Sequence, residues 1–359
     1  MKYFVSTGEI SGDLHLSYLV NAMNKIDDNT SFFGVAGKHS KEAGVTVIQD
    51  IDELAVMGIW EGLKKYKFLK NKIYEYIEFI KKEDIKKVIL IDYGGFNLKF
   101  MEILQKQIEG IEIYYYIPPK VWVWGEKRVE KLRHVDHIVV IFPWEVDFYK
   151  KHGIDVVYYG NPFLDIYKRI DNRGENILLL PGSRKKEVQK LLPIMLEVVE
   201  KSIDEKFILK LSKKDHLKWV DLDINKYKNL EVIDNSSLSD VVKQSKYAIA
   251  ASGTVILELA LLGLPGVVVY KIDKLSGLIA KYILKLKYVS LPNLALDREV
   301  YRELLQGDCN RDNILEAMQN IENNKEYFEE QIGEIIEKLG GKNIVEKYAK
   351  FFLRGKKYE

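Results

Sequence analysis

Short apolar runs alternate along the chain with longer stretches whose apolar positions recur every third or fourth residue. Segments 3–6, 32–35, 87–92, 111–117, 137–142 and 156–160 read as strands, several of them apolar on both faces, which is how strands covered by helices on each side look. Stretches 14–26, 63–82 and 145–152 carry helical spacing between them. A second series comes after these, with strands at 177–180, 207–211, 230–233, 247–251 and 266–270 and helices at 191–202 and 255–262. Alternating βα units predict doubly wound parallel sheets. The polar stretch 165–176, weak in periodicity, separates the two series. The expectation is an α/β protein of two Rossmann-like domains, 1–168 and 169–341, facing across a cleft at the carboxyl ends of their strands.

Composition narrows the function classes. The chain has 359 residues, enough for two cores, with 47% hydrophobic and 30% charged residues, ordinary for a folded protein. Lys and Arg number 55 against 53 Asp and Glu, and a net charge of +2 predicts no general attraction to nucleic acid. The single cysteine, Cys309, rules out a disulfide framework or a thiolate zinc site. The apolar run after Met1-Lys2 is too short for a signal peptide, and no run approaches the ~20 residues that span a bilayer. A cytoplasmic protein, at most a visitor to a membrane surface, is expected.

Four strand ends carry candidate chemistry. The first strand runs into Ser6-Thr7-Gly8-Glu9-Ile10-Ser11-Gly12-Asp13, a glycine-bracketed turn whose backbone could approach an anion. It matches neither the dinucleotide fingerprint nor a Walker loop, and Ser11 or Asp13 could instead simply cap the next helix. The run Val88-Ile89-Leu90-Ile91 ends in Asp92-Tyr93-Gly94-Gly95-Phe96-Asn97. A carboxylate there could accept a proton from a sugar hydroxyl, or merely stabilise a turn.

In the second series, Leu180-Pro181-Gly182-Ser183-Arg184-Lys185-Lys186 puts basic residues at a helix start, against the helix dipole. A bound diphosphate would offset that misfit, with Arg184 stabilising the departing charge; the alternative is a solvated face. Ser252-Gly253-Thr254 opens another helix, with Glu258 one turn on. Small residues suit phosphate and a carboxylate suits ribose hydroxyls, against the plainer reading of a capped helix with Glu258 exposed.

Two stretches carry surplus apolar and basic character. Segment 275–287 has Leu275, Leu278, Ile279, Tyr282, Ile283 and Leu286 on one stripe and Lys281 and Lys285 on another, as in a helix lying on an anionic membrane or against a core. Segment 57–69, with Trp60 and Leu63, is more apolar than one core stripe needs and suits an acyl chain or membrane. Metal readings fare worse. Asp221-Leu222-Asp223 lies in a polar stretch away from any strand end, and the six histidines show no ligand spacing.

Taken in order, Gly8-Glu9-Ile10-Ser11-Gly12-Asp13, Gly34-Val35-Ala36-Gly37, Glu53-Leu54-Ala55-Val56-Met57-Gly58, Ile91-Asp92, Val121-Trp122, Lys127-Arg128-Val129, Phe142-Pro143, Leu180-Pro181-Gly182-Ser183-Arg184, Ala251-Ser252-Gly253-Thr254, Tyr288-Val289-Ser290-Leu291-Pro292-Asn293-Leu294 and Glu303-Leu304-Leu305-Gln306 resemble lipid-A-disaccharide synthase, a bacterial glycosyltransferase family of the GT-B fold. The resemblance runs from residue 8 to about 306. It implies metal-independent, inverting transfer of 2,3-diacylglucosamine from UDP to 2,3-diacylglucosamine 1-phosphate (lipid X), at the cytoplasmic face of the inner membrane and without a cofactor. By position it makes Asp92 the general base and Arg184 the leaving-group stabiliser. Gly182, Ser183, Ser252, Gly253, Thr254, Glu258 and Asn293 fall on the donor side. Glu9, Ser11, Gly12, Asp13, Trp122 and Arg128 fall on the acceptor side, with Trp60, Leu63, Lys281 and Lys285 at membrane or acyl chains. A C-terminal helix within 342–359 would return to the first domain. A homodimer is the assembly allowed for.

The departures from the family gather in the acceptor half. Gly94-Gly95 stand where the family has Pro-Asp, Pro118-Pro119-Lys120-Val121-Trp122-Val123-Trp124-Gly125 where it has Ser-Pro-Ser-Val-Trp-Ala-Trp-Arg, and Gly160-Asn161-Pro162 where it has Gly-His-Pro. Acceptor contacts or the acyl pattern should differ, and the donor side is expected to be the firmer match. Another UDP-sugar transferase or epimerase, or an inactive nucleotide-sugar binder, are the alternatives.

Overall fold

The computed structural model describes residues 1–57, 63–122, 128–171, 173–271 and 287–355, with the backbone alone at 55–57 and 63–66. It divides into two compact units, Met1–Pro162 with Gly341–Glu359, and Phe163–Gly340. The chain changes unit a little before residue 168 because the residues just past Pro162 are already tied to the second unit. Ile170 N donates to Leu262 O at 3.0 Å and Tyr167 bonds Glu258.

In the first unit, β1 (Lys2–Ser6), β2 (Ser31–Ala36), β3 (Thr46–Asp50), β4 (Lys87–Ile91), β5 (Glu112–Tyr116) and β6 (His137–Val139) form one parallel sheet in the order β3-β2-β1-β4-β5-β6. Residues Tyr3, Phe4, Val5 and Val88 to Ile91 are buried on both faces, so these strands were plain in the sequence. Edge strand β3 was not: Thr46-Val47-Ile48-Gln49-Asp50 has polar ends and only Gln49 is buried. Segment 156–160, expected as a strand, forms no continuous strand and carries isolated bridges, one of them Val139 to Val157. The chain passes from β1 to β2 and β3 on one side, then returns to β4 on the other. The crevice where open sheets bind ligands therefore opens at the carboxyl ends of β1 and β4. Ser6 registers with Leu90, which sets Thr7-Gly8 beside Ile91-Asp92.

The helix Ile344–Arg354 packs on this unit against the helix Ile10–Ile26. Tyr3 Oη donates to Phe352 O at 2.7 Å, and Phe351 and Phe352 pack on the rings of Tyr114 and Tyr116. Tyr348 Oη lies 2.7 Å from Val140 O and 2.9 Å from Gly160 O, and accepts from Tyr159 N at 3.1 Å. Burying such side chains contributes about 1.5–3 kcal/mol each, enough to hold a terminal helix.

The second unit repeats the plan with β7 (Asn176–Leu180), β8 (Phe207–Lys210), β9 (Leu230–Ile233), β10 (Ser245–Ala251), β11 (Gly266–Tyr270) and β12 (Arg302–Leu305), all parallel, in the order β12-β11-β10-β7-β8-β9. Its switch point lies between β7 and β10, where Leu180 registers with Ala250. Strand β12 begins Arg302-Glu303 and gave no apolar signal. The helix after β7 runs Lys185–Lys201, starting earlier than the apolar spacing suggested and keeping Pro193 inside.

Candidate functional site

The turns after β1 and β4 lie at the switch point of the first unit, and those after β7 and β10 at that of the second. In the first unit β4 ends in an unusual corner. Asp92 (φ 43°) and Tyr93 (φ 47°) are consecutive left-handed residues, and Ile117, just past β5, has φ 54°. Such conformations cost roughly 1–3 kcal/mol each for a non-glycine residue and persist only where neighbours impose them. Here Asp92 N donates to Ile117 O at 3.1 Å and Tyr115 Oη donates to Asp92 O at 2.8 Å. Fully buried Asn97 places Nδ2 at 3.1 Å from each of Ser6 O, Ile91 O and Asp92 O, and accepts from Ser6 Oγ at 2.7 Å. Asn97 thus staples the ends of β1 and β4 together.

Asp92 is half-buried, just past the carboxyl end of the central strand β4. Burial raises its pKa; Lys120 opposes this, Glu9 adds to it, and the Tyr93 amide opposes it. A carboxylate made more basic in this way suits proton abstraction. Gly8 is needed beside it, because a Cβ there would stand 2.3 Å from the Tyr93 ring. At Gly94 a side chain would press to 2.5 Å from Pro119 Cγ, whereas at Gly95 it would meet nothing within 4 Å. A side chain at Gly95 would thus have open space beside the Asp92-Tyr93 turn.

The acceptor-side residues divide. Glu9 is exposed at the N-cap of Ile10–Ile26, without a side-chain capping bond, and Ser11 is half-buried in the first turn. Gly12 is buried, and a Cβ there would strike Thr7 Oγ1 at 2.3 Å. Asp13 turns inward instead of capping its own helix. Its carboxylate accepts from Gly37 N (2.8 Å), His39 N (2.9 Å) and Ser40 N (3.3 Å), fixing the helix Lys38–Glu42. Three long-range amide bonds commit this buried carboxylate to the fold of the first unit. Arg128 is half-buried, directly before the helix Val129–Leu132. Trp122 Nε1 donates to Glu145 Oε1 at 3.2 Å, and its ring meets Trp144 edge-on. Glu145 is 2% exposed, also accepts from Ile141 N and Phe142 N, and is pushed up to about 7 by burial despite these bonds and nearby Lys120.

In the second unit, Gly182 has φ +98°, a conformation that favours glycine, and Ser183 and Arg184 are exposed. The N3 residue of the helix, Glu187, reaches back: its Oε2 lies 3.3 Å from both Ser183 N and Arg184 N. At the neighbouring strand end Ser252 N donates to Val269 O at 3.0 Å, and Gly253 opens the helix Thr254–Leu261 with free space where a Cβ would stand. Half-buried Thr254 is the first residue of that helix. Glu258 is not exposed. Burial raises its pKa, and Tyr167 Oη, donating to Oε2 at 2.6 Å, holds it back. Asn293 is spent on the fold: Oδ1 accepts from Val300 N and Tyr301 N, and Nδ2 donates to Tyr301 O and Glu303 Oε1, all at 2.8 Å. With its whole amide bonded and none of it exposed, Asn293 ties the helix Leu291–Leu296 to the segment that leads into β12.

Trp60, Lys281 and Lys285 lie outside the described residues, and Leu63 opens the helix Leu63–Lys82. Among the described residues no helix is long and apolar enough to cross a membrane. The Asp221-Leu222-Asp223 triplet resolves into a local cap, Asp223 accepting from Asn225 N at 3.0 Å. Tyr115, Glu145, Tyr167 and Glu187 were missed in the sequence. Only Glu187 left a signal, standing three residues after Arg184 where a capping box places its carboxylate.

A family model described as Lipid-A-disaccharide synthetase matches residues 3–353. Among curated relatives, the Lipid-A-disaccharide synthase of Trichlorobacter lovleyi is 31% identical, covering 95% of this chain and 94% of that protein. The same-named protein of Persephonella marina is 34% identical over 87% of each. Among solved structures, UDP-GlcNAc 2-epimerase of Methanocaldococcus jannaschii in complex with UDP-GlcNAc and UDP superposes with a TM-score of 0.66 at 13% identity, covering 98% of this chain and 99% of its own. The calicheamicin glycosyltransferase CalG4 gives 0.63 at 11%, covering 98% of each. At these identities the structural likenesses speak to the fold, that of GT-B glycosyltransferases and UDP-GlcNAc 2-epimerases.

Proposed function

The chain belongs to the lipid-A-disaccharide synthetase family, UDP-sugar glycosyltransferases of GT-B architecture, and on that premise we propose how its own residues carry the reaction. The donor is UDP-2,3-diacylglucosamine and the acceptor the 6-hydroxyl of 2,3-diacylglucosamine 1-phosphate. Asp92 takes the hydroxyl proton as the oxygen attacks the anomeric carbon; the bond from that carbon to the diphosphate breaks, UDP leaves, and the configuration inverts to a β-1,6 linkage. Arg184 and the amides of Ser183 and Arg184 receive the charge that develops on the diphosphate, so that fixed protein charge stands where other transferases use a divalent cation. Ser252, Gly253 and Thr254 approach phosphate with small groups, and Glu258 accepts from the ribose.

The observation that supports this best is the Asp92-Tyr93 corner. A carboxylate raised by burial, on the first of two consecutive left-handed residues at a switch point, supports a role in chemistry over one in packing. The open space at Gly95 supports an acceptor contact of its own for this chain. Mass spectrometry of products formed from the two diacylated sugars, with EDTA present, tests the reading. The disaccharide 1-phosphate and UDP are expected. UDP release that needs no acceptor, or turnover that chelation abolishes and magnesium restores, would refute it. We further propose that the enzyme works on the anionic cytoplasmic surface of the inner membrane, where its acylated substrates reside; failure to co-sediment with anionic vesicles would rule that out.

A further inference from the structure

The backbone donors of the Gly182–Arg184 corner are occupied by the chain itself. Glu187 Oε2 lies 3.3 Å from Ser183 N and 3.3 Å from Arg184 N, and its Oε1 lies 3.6 Å from Arg184 Nη1. The bare backbone of Gly182 admits this carboxylate, since a Cβ there would stand 2.4 Å from Oε2 and 2.9 Å from Glu187 Cβ. The same two charges reach the hydroxyl of Tyr270 at the end of β11: burial raises its pKa most, Glu187 adds to that, and Arg184 opposes it. Two amides and one guanidinium nitrogen therefore face the Glu187 carboxylate.

An N3 glutamate reaching back to the N-cap is an ordinary device for satisfying helix amides. What is unusual is its place, on the very donors that the transfer reaction needs for a diphosphate. Two anions cannot share those amides without mutual repulsion, because they would lie within a few ångströms of each other. The contacts are also loose: 3.3 Å is beyond the usual range for an N–H···O bond, so an incoming phosphate oxygen can make shorter ones. The Arg184 side chain is 72% exposed, with Nη1 3.6 Å from Glu187 Oε1.

We infer that Glu187 is the internal anion that the nucleotide diphosphate displaces from this corner, and that its return weakens the hold on UDP after transfer. The inference rests on the reading that the diphosphate binds at Gly182–Arg184. It makes Glu187 a residue that sets nucleotide affinity and product release. A purely structural cap would have no such effect, and substitution distinguishes the two.

Isothermal titration of UDP into the full chain is the test, with Glu187→Gln and Glu187→Ala beside the unaltered protein. Glutamine keeps an acceptor oxygen for the amides and loses only the charge. UDP should bind Glu187→Gln about tenfold more tightly, and Glu187→Ala also more tightly though by less, because the loop loses its cap. Product inhibition by UDP should strengthen in parallel. Unchanged or weaker UDP binding in both variants would overturn the inference and leave Glu187 as a cap. Arg184→Ala separates the underlying reading: UDP affinity equal to that of the unaltered protein would remove the diphosphate from this corner altogether.

Discussion

Tyr167 Oη donates to Glu258 Oε2 at 2.6 Å, joining the segment that enters the second unit to the helix behind Ser252-Gly253-Thr254. The bond offsets part of what burial does to this carboxylate, whose pKa is raised. On the proposed donor reading, Glu258 accepts from both ribose hydroxyls in its ionised form. In Tyr167→Phe its pKa should climb further, and UDP affinity should fall by about tenfold at mildly acidic pH. The difference should narrow as pH rises and Glu258 ionises in both proteins. Calorimetric titrations across pH check this, and a loss independent of pH would assign Tyr167 a different role.

Arg184→Ala should slow transfer by about 10²-fold or more, the usual cost of removing one preorganised donor from a developing oxyanion. Lysine should restore part of the rate, since it keeps the charge and loses the planar fork. Steady-state rates at saturating donor measure both, and a near-normal rate in the alanine variant would take Arg184 out of the chemistry.

Glu145 carries a pH signature in stability. Its ordinary value of 4.5 is pushed up to about 7 by burial, so between those values the folded chain holds a proton that the unfolded chain has released. The resulting stabilisation is complete below about 4.5 and lost as pH rises through about 7, a total of up to about 3 kcal/mol. Glu145→Gln should show a flatter profile, gaining on the unaltered protein as pH rises. Denaturant unfolding at pH 5, 6, 7 and 8 measures it; parallel profiles would mean that Glu145 titrates normally.

Asn97→Ala removes the staple between Ser6 O, Ile91 O and Asp92 O. Leaving those carbonyls without their donor should cost roughly 1–3 kcal/mol of stability. The left-handed corner should relax, so that turnover falls while UDP affinity, set by the other unit, is unchanged. Reduced UDP affinity in step with turnover would contradict this.

The sequence made much of this architecture readable because a buried parallel strand leaves a strong local trace. Val88-Ile89-Leu90-Ile91 is apolar on both faces, and Asp92 comes next, at the point where such a run must meet water. Strands β3 and β12 left no such trace, since edge strands with charged or polar residues look like loops. Hydrogen-bond partners outside the local motif also went unread in the sequence. Asp13 sits in a ligand-like turn yet bonds amides at residues 37, 39 and 40, and Asn293 lies in a family motif yet bonds Val300, Tyr301 and Glu303. The support of Asp92 by Tyr115 was illegible for another reason: the acceptor is a backbone carbonyl, which no residue type announces. The basic helix start at Arg184-Lys185-Lys186 read as a misfit awaiting an anion, and the structure supplies one from the same helix, Glu187.

The sharpest trial of Asp92 as the base is Asp92→Asn, assayed for disaccharide formation in a single turnover with UDP affinity measured alongside. Loss of a general base should slow transfer by about 10²–10⁴-fold with UDP bound as tightly as before. In the unaltered enzyme the rate should fall as pH drops through the raised pKa of this buried carboxyl. Disaccharide formed by the asparagine variant at nearly the original rate would contradict the assignment of Asp92 as the base.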